Sequence, residues 1–265
     1  MIETFHNHTT FCDGKNTARE MVETALNLGL TAIGISSHGY TPFDTRYCIK
    51  DESGYIKEIN DLKKEFSGKI DVYLGVEEDA FSPVNRSLYD YVIGSSHYFY
   101  AGGKYLSIDT SKEGFEDCLR YFNNDVGLMV EDYYSRFCDY IKNRKPDIIG
   151  HFDLITKYDK AEDRILSDKN YNKIAERYLN SILGLDCIFE VNVGAIIRGH
   201  RNSPYPYFNL LHKIKEADGK IILSLDCHNK DFLGYDLTET IYLLKDIGFT
   251  SAYTFKKGRF VKENL

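Results

Sequence analysis

The chain has no tryptophan, no Cys-x-x-Cys pair and no hydrophobic run that approaches the length of a membrane span. Its six cysteines are scattered singly, which disfavours a structural zinc knot and predicts buried, reduced thiols. A positively charged, apolar leader is also missing, so we do not expect secretion. Together these absences predict a cytoplasmic protein that does not bind a membrane.

An excess of positive charge is missing as well. The 33 basic and 40 acidic residues give a net charge of −7, which argues against broad binding to nucleic acid through its phosphates. Hydrophobic residues make up 43% of the 265 positions, as in ordinary globular proteins, and this length suits one large α/β domain. We see no linker and no internal repeat, and therefore predict a single domain over residues 1–265.

What the sequence does contain is a series of short apolar runs that end on a possible metal ligand. The first run ends on His6 and His8, which face the same side of an extended strand because they are two residues apart. The run 221–225 leads into Asp226 and His228, with the same spacing. Four further runs end on single candidates: His38, Glu77, His97 and His151.

These apolar runs alternate with amphipathic helical segments. The strands are predicted at 2–8, 31–36, 70–76, 91–95, 147–150, 186–193 and 220–225. Such alternation predicts parallel βαβ units, and about seven units in this length favour a closed barrel resembling the (β/α)8 type. The carboxyl ends of all its strands would open on one rim, where the ligands would meet. The remaining predictions are a hairpin at 98–111, one long or broken helix at 113–144 and a terminal strand or hairpin at 251–261.

Imidazole and carboxylate together are ligands for zinc, manganese or iron. The candidate ligands are His6, His8, Asp13, His38, Glu77, His97, His151, Asp226 and His228. Nine ligands are too many for one ion, so we predict two or three divalent ions, with Glu77 as a bridge. The proposed groups are His6, His8, Glu77 and Asp226 on one ion; Glu77, His97 and His151 on a second; and Asp13, His38 and His228 on a third.

The charge of such a site indicates its substrate. Three divalent ions against three carboxylates leave about +3, which favours a polyvalent anion such as phosphate. Metal ions would also generate a hydroxide nucleophile for an in-line displacement. Asp226 and His228 are the candidate catalytic residues, and whether Asp226 or a metal-bound water acts as the general acid stays open.

Three further residues are candidate substrate contacts. Arg198 could clamp phosphate with its planar fork. His200, in the same basic loop, lies either at the surface or against the substrate. Asp153 either orients a ligating histidine or caps a turn.

Several motifs together resemble the PHP (polymerase and histidinol phosphatase) family, and its histidinol-phosphatase branch in particular. They are His6-Asn7-His8-Thr9, Asp13-Gly14, Gly75-Val76-Glu77, Gly94-Ser95-Ser96-His97, Gly150-His151-Phe152-Asp153-Leu154 and Asp226-Cys227-His228. The resemblance implies an α/β fold of the distorted (β/α)7 TIM-like barrel type with a trinuclear metal site. It also implies hydrolysis of L-histidinol phosphate to L-histidinol and phosphate, a step of histidine biosynthesis. Because the other end of that substrate is cationic, an acidic residue should face it, and the candidates are Asp44, Glu131 and Asp153.

Other functions stay open at this point. A related phosphatase could act on another small phosphate ester. A PHP nuclease would act on phosphodiesters, but the acidic balance and the lack of a polymerase segment count against it. A non-catalytic metal-binding module would not need so complete a set of ligands. The sequence makes no prediction about oligomeric state.

Overall fold

A curled, mostly parallel β-sheet forms the centre of the structure, a computed structural model that describes residues 3–158 and 164–265. In order across the sheet, the strands are β1 (Ala32–Ile35), β2 (Asp71–Asp79), β3 (Tyr91–Ser95), β6 (Ile148–Ile149), β7 (Ile188–Asn192), β8 (Lys220–Ser224), β9 (Ser251–Lys256) and β10 (Arg259–Asn264). Neighbours from β1 to β9 are parallel, and β10 is antiparallel to β9. The predicted strand–helix alternation is confirmed, and the chain has an α/β fold.

Helices connect the strands and cover the sheet. They are α1 (Ala18–Asn27), α2 (Glu52–Glu65), α3 (Lys112–Tyr121), α4 (Val126–Arg144), α5 (Tyr171–Asn180), α6 (Gly194–Ile197), α7 (Phe208–Glu216) and α8 (Thr238–Ile247). The helix predicted at 113–144 is broken between α3 and α4, where Asn123 and Asn124 adopt positive φ angles of 55° and 59°. Asparagine tolerates this left-handed conformation better than most residues, so it ends one helix and allows a turn. No helix in the described ranges is long and apolar enough to cross a membrane.

The N-terminal segment joins the two sides of the sheet. Thr4 forms a parallel bridge with Ile33 of β1, and Asn7 forms another with Cys227, just beyond β8. The main-chain N–H of Cys227 donates to the His6 carbonyl at 3.0 Å. The predicted first strand, 2–8, is therefore present only as isolated bridges, and its first residue, Ile2, lies outside the described residues. This pairing brings the N-terminal histidines beside the residues that follow β8.

The core has two parts. The larger lies between the sheet and the helices, while the smaller, inside the curled sheet, contains the rings of Phe5, Tyr91 and Phe255. A Cβ atom at Gly34 or Gly75 would overlap the Tyr91 side chain, so both positions need glycine. This smaller cluster, which we call the aromatic plug, also includes Ala32, Tyr73, Ile93, Ile148, Ile188 and Ile222. Many of these residues stand at or near the amino ends of their strands, so the plug fills the end of the sheet opposite the predicted site.

The hairpin predicted after β3 is confirmed as a separate two-stranded sheet. It consists of β4 (Tyr98–Ala101) and β5 (Lys104–Ser107). The ring of Tyr105 stacks on Phe43 with 3.6 Å between centroids, and Tyr98 contacts the same phenylalanine edge-on. The hairpin is thereby fixed against the loop that follows β1, beside the carboxyl ends of the strands.

Candidate metal centre

The nine predicted ligands converge at the carboxyl ends of the strands. Seven of them line one cavity of about 300 Å³: Asp13, His38, Glu77, His97, His151, Asp226 and His228. The other two, His6 and His8, are fully buried beneath it. The parallel sheet explains this convergence, because each ligand stands on, or just after, the carboxyl end of a strand or of the N-terminal segment.

The first predicted group has the spacing of a metal site. His6 Nε2 lies 3.3 Å from Glu77 Oε2, and His8 Nε2 lies 3.3 Å from Asp226 Oδ1. The two crossed distances are 3.6 Å for His8 to Glu77 and 3.8 Å for His6 to Asp226. A tetrahedral ion with bonds of about 2.1 Å separates its ligand atoms by about 3.4 Å. These four side chains therefore match the separation that such an ion imposes.

Unsatisfied polar atoms give a second, independent indication. The Nε2 atoms of His6 and His8 are buried and make no hydrogen bond within the described residues. Glu77 Oε2 is also buried, and although the His38 Nδ1 atom lies only 2.8 Å away, no imidazole meets it in hydrogen-bonding geometry. Leaving such atoms unpaired costs about 1–3 kcal/mol each. A bound cation would satisfy all of them at once, so the residues fit a metal ion.

The second predicted group centres on the other oxygen of the same glutamate. Glu77 Oε1 lies 2.9 Å from His151 Nε2 and 3.3 Å from His97 Nε2. Glu77 thus faces two groups of ligands with its two oxygens, as a bridging carboxylate must. The structure adds His38 to the surroundings of this group, because His38, Glu77 and His97 also place ligand atoms close together.

The third predicted group is more open. Asp13 Oδ1 lies 3.3 Å from His228 Nε2 and 3.8 Å from His38 Nε2. His8 joins them through its Nδ1 atom, 3.9 Å from the same oxygen. His38 and His8 therefore each face two of the groups with their two nitrogens, an overlap that the sequence-based grouping did not include.

Two carboxylates orient the ligating histidines. The Nδ1 atom of His6 lies 2.5 Å from Glu190 Oε1, and that of His97 lies 3.0 Å from Asp79 Oδ2. The other Glu190 oxygen accepts the main-chain N–H of His151 at 2.8 Å. Each contact fixes a ring so that Nε2 points to the cluster, and carboxylates in this position also raise the basicity of a ligating imidazole.

The electrostatics of the cluster keep its carboxylates charged. Burial opposes ionisation of Glu77, but the surrounding imidazoles, chiefly His38 and His6, hold the pKa of its carboxyl well below the usual range. Asp226 is also buried, and Arg198 lowers the pKa of its carboxyl most strongly. Burial, with neighbouring His228, lowers the pKa of His8 well below its ordinary value. Charged carboxylates beside a neutral imidazole are the protonation states that metal binding requires.

His6 behaves differently from His8. Burial lowers the pKa of His6, but the charges of Glu190 and Glu77 outweigh it and raise that pKa well above its ordinary value. A cation entering the first group would therefore displace a proton from this imidazole.

Only one of the three predicted substrate contacts reaches the cavity. Arg198 lines it and donates to Asp226 twice, at 2.9 Å to Oδ2 and at 2.8 Å to the main-chain oxygen. His200 packs edge-on against the ring of Tyr158 and does not line the cavity. Asp153 is fully buried and accepts the main-chain N–H of Tyr207, so it could act on a substrate only through other residues.

Sequence reasoning missed several residues that line the cavity. These are Tyr47, Tyr98, Asp109, Thr110, Leu154 and Lys157. The signal that could have found Tyr98 and Asp109 is their position at the entry and exit of the hairpin that follows His97. Of the residues considered for a cationic group, Glu131 instead pairs with Arg177 at the surface, and Asp44 pairs with Arg46.

Known proteins are similar to this chain along most of its length. The model of the PHP domain matches residues 4–193. A protein of Deinococcus radiodurans named "Probable histidinol-phosphatase" is 29% identical, over 92% of this chain and 92% of its own. The histidinol-phosphatase of Bacillus subtilis is 24% identical, over 87% of this chain and 94% of its own.

A solved structure shares the fold. It is the histidinol phosphate phosphatase of Lactococcus lactis, determined in complex with zinc, L-histidinol and phosphate. The two chains superpose with a TM-score of 0.74 at 22% identity, over 98% of each. The family model covers most of the present chain, including His6, His8, His38, Glu77, His97 and His151, and the chain therefore belongs to the PHP domain family.

Proposed function

We propose that this protein is a metal-dependent phosphomonoesterase that hydrolyses L-histidinol phosphate to L-histidinol and phosphate. The observation that carries the proposal is the convergence of six histidines and three carboxylates on one cavity, with buried ligand atoms left unpaired. The names of the relatives, which align along almost their whole length, support the choice of substrate. The zinc, histidinol and phosphate bound by the Lactococcus lactis protein support it further.

The three groups of ligands would hold two or three divalent ions, zinc, manganese or iron. Such ions, when bound, neutralise phosphate charge and lower the pKa of water towards neutrality. Glu77 would serve two groups through its two oxygens, while Glu190 and Asp79 keep the His6 and His97 rings in place.

Arg198 is our candidate for direct contact with the phosphate. Its guanidinium lines the cavity beside Asp226 and His228. Two of its five N–H donors serve Asp226, so others remain for an anion. A charged fork that already touches the metal cluster can hold phosphate against the cations.

Asp226 and His228 are our candidates for proton transfer. Because the pKa of Asp226 is held well below its usual range, its carboxylate is ionised at neutral pH and can accept a proton but not initially donate one. We infer that it takes a proton from the attacking water and returns it to the leaving alkoxide. His228, whose Nδ1 lies 3.5 Å from Asp226 Oδ1, is placed to assist.

Two structural inferences accompany this function. The bridges of residues 4–8 to β1 and to Cys227, just beyond β8, close a ring of seven parallel segments: residues 4–8, β1, β2, β3, β6, β7 and β8. This ring, which leaves out β9 and β10 beside β8, supports a distorted (β/α)7 barrel formed by one domain over residues 1–265. The cysteines of the described ranges are free thiols, which supports a cytoplasmic location.

The test is phosphate release by metal-reconstituted protein from L-histidinol phosphate and from a panel of other phosphate monoesters. We expect the highest kcat/KM for L-histidinol phosphate. Equal rates on unrelated monoesters would overturn the specific substrate, and cleavage of a labelled oligonucleotide would favour a nuclease. A matched pair of variants completes the design: His97→Asn should abolish activity, whereas His212→Asn, exposed on α7, should not.

A further inference from the structure

One carboxylate in the cavity has no place in the metal centre. Four acidic side chains line the cavity, and Asp13, Glu77 and Asp226 each belong to a group of ligand atoms. The fourth, Asp109, lies two residues beyond β5, where the chain leaves the hairpin. Within the described residues no metal-ligand group includes it, so its charge needs another explanation.

The loop around Asp109 is built to hold that carboxylate in place. Its main-chain oxygen accepts hydrogen bonds from Lys157 Nζ at 2.8 Å and from the Tyr158 hydroxyl at 2.7 Å. Its side chain accepts from the Ser107 hydroxyl at 3.3 Å and from Lys157 Nζ at 3.2 Å. Since a carboxylate has about four acceptor positions, about two stay available. The Asp109 side chain is 24% exposed and lines the cavity.

The neighbours of Asp109 suit an organic cation. Burial opposes ionisation of Asp109, but Lys157 and His97 keep the pKa of its carboxyl below the ordinary value, so it carries a negative charge. Tyr98, at the start of the same hairpin, and Tyr47 also line the cavity, with 6.1 Å between their ring centroids. Aromatic faces attract ammonium and imidazolium groups. A carboxylate beside two aromatic rings therefore favours a cationic, ring-bearing group.

We propose that Asp109 is a specificity-determining residue, whose carboxylate accepts a hydrogen bond from the ammonium group of a phosphorylated amino alcohol. Tyr47 and Tyr98 would lie along the organic part of that substrate, while Arg198 and the metal ligands face its phosphate. This inference rests on the proposed function and deepens it. It assigns recognition of the cationic end to the hairpin that follows β3, rather than to Asp44, Glu131 or Asp153.

The test compares two substrates in one variant. L-Histidinol phosphate is assayed beside 3-(imidazol-4-yl)propyl phosphate, which has the same carbon chain, imidazole and phosphate but lacks the 2-amino group and therefore its positive charge. The wild type should prefer the amine-bearing ester. In Asp109→Asn that preference, expressed as the ratio of kcat/KM values, should fall about tenfold or more, because a charge-assisted hydrogen bond is lost. The fall should appear mainly as a higher KM for L-histidinol phosphate.

Two further variants and a metal analysis complete the experiment. Asp109→Glu, which retains the charge, should keep more of the preference than Asp109→Asn. Asp117→Asn, on the exposed side of α3 and paired with Arg120, should leave the preference unchanged. Metal content and melting temperature are measured for each variant.

The outcomes separate this inference from the proposed function. An unchanged ratio in Asp109→Asn would overturn the inference alone, provided that the wild type hydrolyses L-histidinol phosphate. Equal losses on both esters, or a loss of bound metal, would show that Asp109 supports the metal centre instead, and would also overturn it. A wild type that hydrolyses neither ester would contradict the proposed function, and the inference would fall with it.

Discussion

The two ends of the curled sheet differ in how completely their side chains satisfy one another. In the aromatic plug, Phe255 contacts Phe5, Tyr73 and Tyr91 with ring centroids 4.8–6.2 Å apart, and the Tyr91 hydroxyl donates to the Phe5 carbonyl. At the metal centre, by contrast, His6 Nε2, His8 Nε2 and Glu77 Oε2 are buried without a hydrogen-bond partner among the described residues. The side chains of the aromatic plug satisfy one another, whereas those of the metal centre need a bound ion to do so. The residues that stabilise the fold and the residues that could bind metal thus lie at opposite ends of the same strands.

Strand β2 shows this change along a single face. Alternate residues of a strand point to the same side, so Tyr73, Gly75, Glu77 and Asp79 share the inner face. Tyr73 belongs to the aromatic plug, Gly75 leaves room for the Tyr91 ring, Glu77 joins two groups of ligands, and Asp79 orients His97. The inner face thus changes from packing residues to functional residues within seven positions. The outer face carries the apolar Leu74 and Val76 and then Glu78, which pairs with Arg144.

The largest effect is expected from Glu77→Gln, which disrupts the metal centre. The substitution removes the negative charge that faces both the His6 and the His151 groups, so at least one ion should be lost. We expect kcat/KM to fall about 1000-fold or more, with the circular dichroism spectrum unchanged because the aromatic plug is untouched. Metal analysis of the purified variant should show reduced stoichiometry.

The matched control is Glu131→Gln, which removes a carboxylate that pairs with Arg177 at the surface. It should retain wild-type metal content and activity. If Glu77→Gln instead kept a tenth or more of the wild-type kcat/KM, Glu77 could not be the bridge between the two groups of ligands.

A substitution in the aromatic plug should lower the stability of the protein and leave its catalytic activity unchanged. Phe255→Ala removes a ring that is 2% exposed and lies at the centre of the aromatic plug. We expect the free energy of unfolding to fall by about 3–5 kcal/mol, since a large core side chain leaves a cavity behind. Urea denaturation measures this loss, and kcat per folded, metal-loaded molecule should stay close to the wild-type value. A large fall in that kcat would show that the two ends are not independent.

The sequence predicts that the candidate metal ligands converge, because the patterns that place them are local. His6 and His8 are two residues apart, and Glu77 and His97 each end an apolar run, so strand periodicity alone places them on one rim. The same periodicity predicts β1, β2, β3, β6, β7 and β8 to within three residues, whereas the predicted first strand forms only isolated bridges. It does not divide the histidines among ions, because a histidine such as His38 has two nitrogens, and the structure alone shows which neighbour each one faces.

Residues that depend on distant partners escape such reasoning. Glu190 stands in an apolar strand, and its role is visible only when His6, 184 positions away, lies beside it. Asp153 follows the ligand His151 closely, yet it is buried against Arg201 rather than exposed to the cavity. Asp109 is separated from its partner Lys157 by α3, α4 and β6, whose relative orientation the local pattern does not predict. These contacts are set by tertiary packing, about which a single sequence carries no periodic signal.

The smallest effect is expected from Glu190→Gln, in strand β7, where a residue of the aromatic plug and a residue beside the metal centre are two positions apart. Its inner face repeats the order of β2, with Ile188 in the aromatic plug, Glu190 beside His6 and Asn192 donating to Glu190 at 3.0 Å. Glu190→Gln keeps the shape but removes the charge that raises the basicity of His6. We expect metal affinity to fall about 10- to 100-fold, as for other residues that orient a ligating histidine, with little loss of thermal stability.

Competition with a chelator measures that affinity, and added metal should restore most of the activity of Glu190→Gln, which it could not do for Glu77→Gln. The matched control, Asp186→Asn, removes a carboxylate that precedes the same strand but is 90% exposed and pairs with Lys220. An affinity equal to that of the control would mean that His6 is held by the main chain alone. Recovery of activity at high metal concentration would instead show that the charge of Glu190 acts on metal binding and not on the fold. Ile188, two residues earlier, would then be the last residue on this face of β7 whose role is packing.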